Sequence, residues 1–436
     1  MRAGRMITAA MQRLESADEA NLVLDHVGQV NVFLVAALLS EGGFIGPDRS
    51  PDMAAVRAAL SERIDALPPL RRIAVAAGRR HRWVESSPDL SQHIRLIDAV
   101  AGLAGLERLC GELMSVPLPY DRPLWEILLI PGASAEGIGV VLRIHHAIAD
   151  GIAAVAIAQR LFDPSGDAAT PAPTPRPSAG ARPRRRVGNV LGRVGSSVRR
   201  IGMTLGGRGV GSTLLLGERS AHRGVTFLAA DLAALEEHAR PLRATVNDAL
   251  LSAVASGYRA ALEAAGEAVP ARLPVSVPVA LERRGSSGNQ VGVMLVRLPL
   301  GEPDPNERLR LIAAQTRPDK VTARRHGTLE FMRGPIGARI MDQIARRQHL
   351  VAGFVTNVPG PPGPLRLAGA LVMEIWPVAV LAGNVRLGVA AISYDGRLRC
   401  GVHFDDETVP GAVFSHAMQE ELARLAPGSL RSSPTA

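Results

Sequence analysis

A break in patterning divides this chain and limits what it can build. Asp163-Pro164-Ser165-Gly166 ends a helical pattern, a stretch rich in Pro, Ala and Arg follows, and regular patterning resumes near Gly224. Such Pro/Gly clusters interrupt secondary structure, because Pro lacks a backbone N–H and Gly accepts turn conformations. The chain therefore reads as an N-terminal half, 1–163, a linker, 164–222, and a C-terminal half, 223–436. With 436 residues, 47% of them hydrophobic, it can bury one large core or two of roughly 150–200 residues each.

Both halves mix strands and helices. Residues 30–39 and 138–144 read as strands, while 52–67, 102–114 and 151–162 carry helical periodicity. In the C-terminal half, 245–264 reads as a helix, and 291–299 and 385–394 alternate as strands do. The pattern predicts an α/β chain with mixed sheets and no fixed-period repeat.

The net charge of +9 is concentrated in the linker, where nine arginines lie between Asp167 and Glu218 with no acidic residue among them. Within it Val187, Val190, Leu191, Val194, Val198, Ile201 and Leu205 recur at helical spacing, and Arg186, Arg193 and Arg200 recur every seven residues. That is a basic amphipathic helix, suited either to an anionic lipid surface or to packing on its own protein. Four interior glycines weaken it, and no Trp or Phe anchors it. No stretch reaches the roughly 20 uncharged apolar residues of a membrane span, and the first 20 residues lack the apolar middle of a signal peptide. The expectation is a cytoplasmic protein, attached at most peripherally to the inner membrane or lipid droplets. The two cysteines, Cys110 and Cys400, form neither a ligand spacing nor a disulfide framework.

The chemistry is carried by His145-His146-Ala147-Ile148-Ala149-Asp150-Gly151. In the strand ahead of it, Ile138, Val140, Leu142 and Ile144 share one face, and Gly139, Val141 and Arg143 the other. Continuing the alternation puts His146 on the apolar face and His145 on the side of Arg143, so the two rings cannot address one reacting atom. His146 is then the candidate base, because a partly desolvated imidazole stays neutral at pH 7. Asp150 and Gly151 open the next helix, where the plain reading of Asp150 is an N-cap. Each residue alone fits ordinary packing. The ordered set of strand, His-His, three residues, Asp-Gly and helix is far less expected from packing.

This set resembles the signature of the bacterial wax ester synthase/diacylglycerol acyltransferases and, more distantly, those of chloramphenicol acetyltransferase, carnitine acyltransferases and peptide-synthetase condensation domains. Pro117-Leu118 with Arg122-Pro123-Leu124-Trp125-Glu126 looks like the family's Pro-Leu-Trp element. Ala244-Thr245-Val246-Asn247-Asp248 looks like its Asn-Asp motif, Gly288-Asn289-Gln290 like its Gly-Asn turn, and Thr356-Asn357-Val358-Pro359-Gly360-Pro361 like its Ser-Asn-Val-Pro-Gly-Pro segment. All stand in the family's order.

The resemblance implies two chloramphenicol-acetyltransferase-like subdomains with an active-site tunnel between them, acyl-CoA as substrate, a lipid alcohol as acceptor, and no metal or redox cofactor. It makes His146 the general base and Asp150 a loop-shaping residue paired with an arginine. It places His145, Gly151, Asn247, Asp248, Asn289, Asn357 and Trp125 at or near the site. Thr245-x-x-Asp248 is also a plain capping box, and Trp125 reads as core first and substrate platform second. Departures from the family lie at the N-terminus, where only Leu14-Glu15-Ser16 is kept, and at Pro119, where an acidic residue is expected.

Two other readings stay open: a lipid-surface binding protein that keeps the fold without turnover, and an acyltransferase for another hydroxylated acceptor. There is no Gly-x-Ser-x-Gly elbow, and the single lysine, Lys320, has no glycine loop ahead of it for a P-loop. The adjacent histidines point apart, which argues against zinc. The basic linker lacks the reading helix or aromatic interleaving of a nucleic-acid binder.

Overall fold

The computed structural model describes residues 12–25, 29–78, 80–149, 151–164, 209–280, 291–325, 339, 342–361 and 363–427. The strands of the N-terminal half are β1 (Gln12–Arg13), β2 (Val32–Ser40), β3 (Arg72–Ala77), β4 (Arg80–Glu85), β5 (Ile94–Leu96), β6 (Trp125–Ile130), β7 (Gly137–His145) and β8 (Asp163–Pro164). Its helices are α1 (Ser16–Asp25), α2 (Met53–Asp65), α3 (Leu90–His93), α4 (Gly102–Leu113) and α5 (Gly151–Leu161). The C-terminal half adds β9 (Arg223–Asp231), β10 (Leu273–Ala280), β11 (Val291–Leu298), β12 (Phe354–Val358), β13 (Leu365–Leu367), β14 (Ala370–Val378), β15 (Leu387–Tyr394) and β16 (Arg397–Asp405). Its helices are α6 (Leu232–Ala239), α7 (Val246–Ala264), α8 (Pro305–Arg325) and α9 (Gly411–Leu425).

The α/β expectation holds, and the long elements lie where periodicity put them. Helix ends are set by caps: Asp52 accepts from Ala54 N and Ala55 N ahead of α2, and Thr245 stands as N-cap before α7, just outside the helix it starts.

Among the described residues a seven-stranded sheet runs β5-β6-β7-β2-β14-β13-β8 and a six-stranded sheet β11-β10-β12-β15-β16-β9; a three-stranded sheet, β1-β4-β3, stands apart. Both large sheets are mixed: β5 lies parallel to β6, and β12 parallel to β10 and β15, with antiparallel pairs elsewhere. The larger sheet has a core on each face. Ile138, Val140, Leu142 and Ile144 of β7 face the layer holding α2 and α5, while Val141 joins Leu34, Ala36 and Leu128 on the other side. Burying a Val, Leu or Ile side chain contributes about 1.5–3 kcal/mol, so these stripes fix strand register.

The halves are not separate strand for strand. Strands β13 and β14 come from 223–436, yet β14 pairs with β2 and completes the N-terminal sheet. The apolar stretch 370–392 is interrupted by Glu374, Pro377, Asn384 and Arg386 and forms two strands, β14 and β15, which enter different sheets with residues 379–386 crossing between them. Stacking of Phe227 on Trp376 (centroids 4.6 Å apart) and the Arg399–Glu374 ion pair at 2.6 Å join the sheets there. At Gly401 a Cβ would stand 2.1 Å from Pro377 O, so only glycine allows this approach. Part of the expected linker is also packed: Leu214, Leu215 and Leu216 are buried in the C-terminal core. The amphipathic segment 187–205 lies outside the described residues.

Candidate active site

Strand β7 is inside the sheet, with β6 and β2 on either side, and its ladder ends at His145, opposite Val32. The chain then turns over 146–148, closed by the Ile148 N–H donating to His145 O at 2.9 Å. His145 is the last side chain the sheet orients, and His146 is the first outside it.

The two rings have different neighbours. His145 is fully buried, and its Nδ1 accepts the Ala147 N–H at 3.0 Å. A nitrogen facing an N–H carries no proton, so the neutral His145 ring carries its hydrogen on Nε2. That atom lies 3.4 Å from Asp25 Oδ2 and 3.4 Å from the Tyr120 hydroxyl. Tyr120 donates to Asp25 Oδ2 at 2.8 Å, and the Asn31 N–H to Asp25 Oδ1 at 2.6 Å. Burial pulls Asp25 upward, but its interaction with His145, with the Asn31 and Tyr120 bonds, outweighs it and leaves its carboxyl below the usual range. Burial beside that carboxylate pushes the Tyr120 phenol up.

His146 makes no side-chain hydrogen bond among the described residues; its ring is half-buried and edge-on to Phe33, with centroids 5.1 Å apart. Phe33 pairs with Ile144 across β2 and β7, so His146 does lie on the apolar side. Burial, and any charge on neighbouring His145, push its imidazole down to about 4. It is neutral at pH 7 with its lone pair uncommitted, which is the state a general base needs.

Of the other predicted residues, Trp125 is a core residue. Its side chain is buried in the core, donates from Nε1 to Leu70 O at 2.9 Å and stacks on His93, which leaves no face for substrate. Asp248 closes the capping box with Thr245 and accepts the Thr316 hydroxyl at 2.7 Å, so both carboxylate oxygens are engaged in structure. Asn247 is half-buried in the first turn of α7, and Asn357 is half-buried on β12 opposite Ala391. Gly151 opens α5; Asp150 and Asn289 lie outside the described residues. Arg143 is committed elsewhere: it pairs with Glu126 and donates to Leu113 O and Val116 O. No group of three or more His, Cys, Asp or Glu among the described residues is placed to hold a metal ion. Nor is any described helix long and apolar enough to cross a membrane.

Sequence reasoning passed over Asp25, Tyr120, Asn21 and Asn31. One signal was present for Asp25. It ends α1, where the helix dipole disfavours a carboxylate, so a partner elsewhere in the fold is implied. Tyr120 is one of three tyrosines and directly follows Pro117-Leu118-Pro119.

Residues 7–250 match the wax ester synthase/diacylglycerol acyltransferase catalytic domain, and residues 287–426 match the WS/DGAT C-terminal domain. A probable diacylglycerol O-acyltransferase of Mycobacterium tuberculosis is 28% identical over 385 residues, 81% of this chain and 83% of its own. The wax ester synthase/diacylglycerol acyltransferase from Marinobacter aquaeolei VT8 superposes with a TM-score of 0.72 at 20% identity, covering 95% of this chain and 98% of that one. A trichothecene 15-O-acetyltransferase from Fusarium sporotrichioides shares the fold more distantly, with a TM-score of 0.64 at 10% identity over 98% and 97% of the two chains. The catalytic-domain match spans more than half the chain and includes the His-His turn, so the chain belongs to the wax ester synthase/diacylglycerol acyltransferase family.

Proposed function

We propose that this protein transfers a fatty acyl group from acyl-CoA to the hydroxyl of a diacylglycerol or a long-chain alcohol, making triacylglycerol or wax ester. The observation that carries the reading is His146: a neutral imidazole, free of side-chain hydrogen bonds among the described residues, just past the C-terminal end of β7. The imidazole takes the proton of the acceptor hydroxyl as its oxygen attacks the thioester carbonyl. The C–O bond forms, the C–S bond breaks, and the imidazolium returns the proton to the departing CoA thiolate. No covalent acyl-enzyme, metal or redox cofactor is needed for that sequence.

In this reading the substrates meet at His146 in a tunnel between the two sheets. Supporting it, the Gly383 N–H of the crossing segment donates to Gln29 Oε1 at 3.1 Å, which sets the C-terminal half against the segment leading to Asn31 and β2. Asn357 and Asn289 are the candidates to line the tunnel or donate to the tetrahedral oxyanion, and Asn247 to shape its wall. Asp150, paired with an arginine, is the candidate to shape the loop that leads into α5. The basic stripe of 187–205 would rest on an anionic membrane or lipid-droplet surface, where water-insoluble acceptors reside.

The test is transfer of radiolabelled palmitoyl-CoA to diacylglycerol and to hexadecanol, resolved by lipid chromatography, with His146→Ala alongside. Neutral ester formed by wild type and lost in the variant is the expected result, and the better acceptor is read directly. No ester with either acceptor, from folded protein that binds acyl-CoA, would move the assignment to another hydroxylated acceptor or to lipid binding without turnover.

A further inference from the structure

His146 lies beyond the β7 ladder, and among the described residues its ring has no hydrogen bond to steer it. Its main chain is held instead. The His146 N–H donates to Asn31 O at 2.9 Å, and His146 O accepts from Asn21 Nδ2 at 3.1 Å. The two asparagines are joined as well: Asn31 Nδ2 donates to Asn21 Oδ1 at 3.0 Å and to Asn21 O at 3.1 Å. These bonds close a cycle, from His146 N–H to Asn31 C=O, from the Asn31 amide to the Asn21 amide, and from there back to His146 C=O. The cycle also fixes which way the Asn21 amide points, since the flipped amide would set oxygen against His146 O and nitrogen against Asn31 Nδ2. Asn31 is 5% exposed, so its bonds are little contested by water.

We infer that Asn21 and Asn31 are positioning residues for His146, acting on its peptide group and not on the substrate. One asparagine is in α1 and the other precedes β2, so helix, sheet and His-His turn meet at one point. Losing the Asn21 donor frees one side of the His146 peptide and lets the ring drift from its line of attack. A misplacement of about 1 Å can cost on the order of a hundredfold in rate. The Asp25–Tyr120–His145 network beside it holds the preceding residue, so the whole turn would not come loose.

This inference rests on His146 being the base, and the experiment separates the two. Asn21→Asp keeps the side-chain shape and the acceptor for Asn31 but cannot donate to His146 O; Asn21→Ala removes the side chain from a helix that tolerates alanine. With palmitoyl-CoA and the preferred acceptor, both variants are expected to lose roughly ten- to a hundredfold in kcat, with KM for palmitoyl-CoA within about twofold of wild type. Thermal unfolding, followed alongside, should show both folded at the assay temperature. A kcat within about twofold of wild type in either folded variant, or a loss carried by KM, overturns the positioning role. A wild-type rate in His146→Ala would instead overturn the assignment of the base.

Discussion

Glu107 Oε1 on α4 accepts the Phe227 N–H of β9 at 2.6 Å. β9 is an edge strand of the six-stranded sheet, and an uncovered edge offers unpaired N–H and C=O groups to other chains. A side chain from the N-terminal half thus closes the C-terminal sheet, and Gln419 of α9 continues the cover by bonding both Ala229 N and Ala229 O. Burial pushes the Glu107 carboxyl up, against the bond from Phe227. A raised folded-state value favours the protonated form, so its contribution to stability is full below its unfolded pKa and lost as pH rises through the folded one. Glu107→Gln keeps the acceptor without the charge and should be at least as stable as wild type at pH 7. Glu107→Ala should lose about 1–2 kcal/mol in urea unfolding, the cost of an orphaned N–H.

The acid limb of catalysis should fall unusually low. An imidazole pushed down to about 4 stays neutral above that pH and becomes a cation without basicity below it. The log kcat/KM profile should therefore be flat from pH 8 to about 5 and decline near 4, whereas an ordinary histidine declines near about 6.5. A decline centred between pH 6 and 7 would place the base elsewhere or in a more hydrated site.

His146→Ala should abolish transfer, whereas His145→Ala should leave a measurable rate in protein that is less stable. The His145 ring fills a fully buried position and bonds to Ala147 and Asp25, with nothing left over for substrate. Chromatographic ester assays with paired denaturant melts check both halves of this statement. Equal loss of activity from the two variants, with folding intact, would undo the assignment by strand face.

Asp25 should account for part of the acid unfolding. Its carboxyl is held low in the fold, so its stabilisation is present above the unfolded pKa and disappears as pH falls through the folded value. Asp25→Asn should cost about 1.5–3 kcal/mol at neutral pH, the range for a hydrogen bond to a charged group, and should flatten stability against pH below about 4. Chemical denaturation at several pH values reads both effects.

In the C-terminal half, Arg308 Nη2 and Glu421 Oε1 meet at 2.5 Å, with Ser252 donating to the same oxygen at 3.1 Å and accepting from Arg308 Nε at 3.1 Å. Both charged side chains are buried, so removing Glu421 leaves the Arg308 cation away from solvent without its counter-ion. Glu421→Ala should lose about 3–5 kcal/mol, and Arg308→Met with Glu421→Leu should recover much of that. Additive losses in the double variant would show that the two side chains act independently.

Sequence alone determined the elements and the motif. Periodicities of two and 3.6 depend on which residues must face a core, and that information is local, so β2, β7, α2, α4, α5 and α7 could be placed within about two residues. The same alternation separates the two histidines and puts His146 on the apolar face. Tertiary structure decided what is contributed at long range. Asp25 and Tyr120 are 95 residues apart, and Asn21 and His146 are 125 apart, and neither hydrogen bond leaves a trace in local patterning. Likewise β14 reads as an apolar strand in any window, but its place beside β2 follows from pairing between distant segments. Trp125 shows the reverse case: a residue within a family motif whose side chain the fold spends on packing, because β6 turns it toward Leu70 and His93.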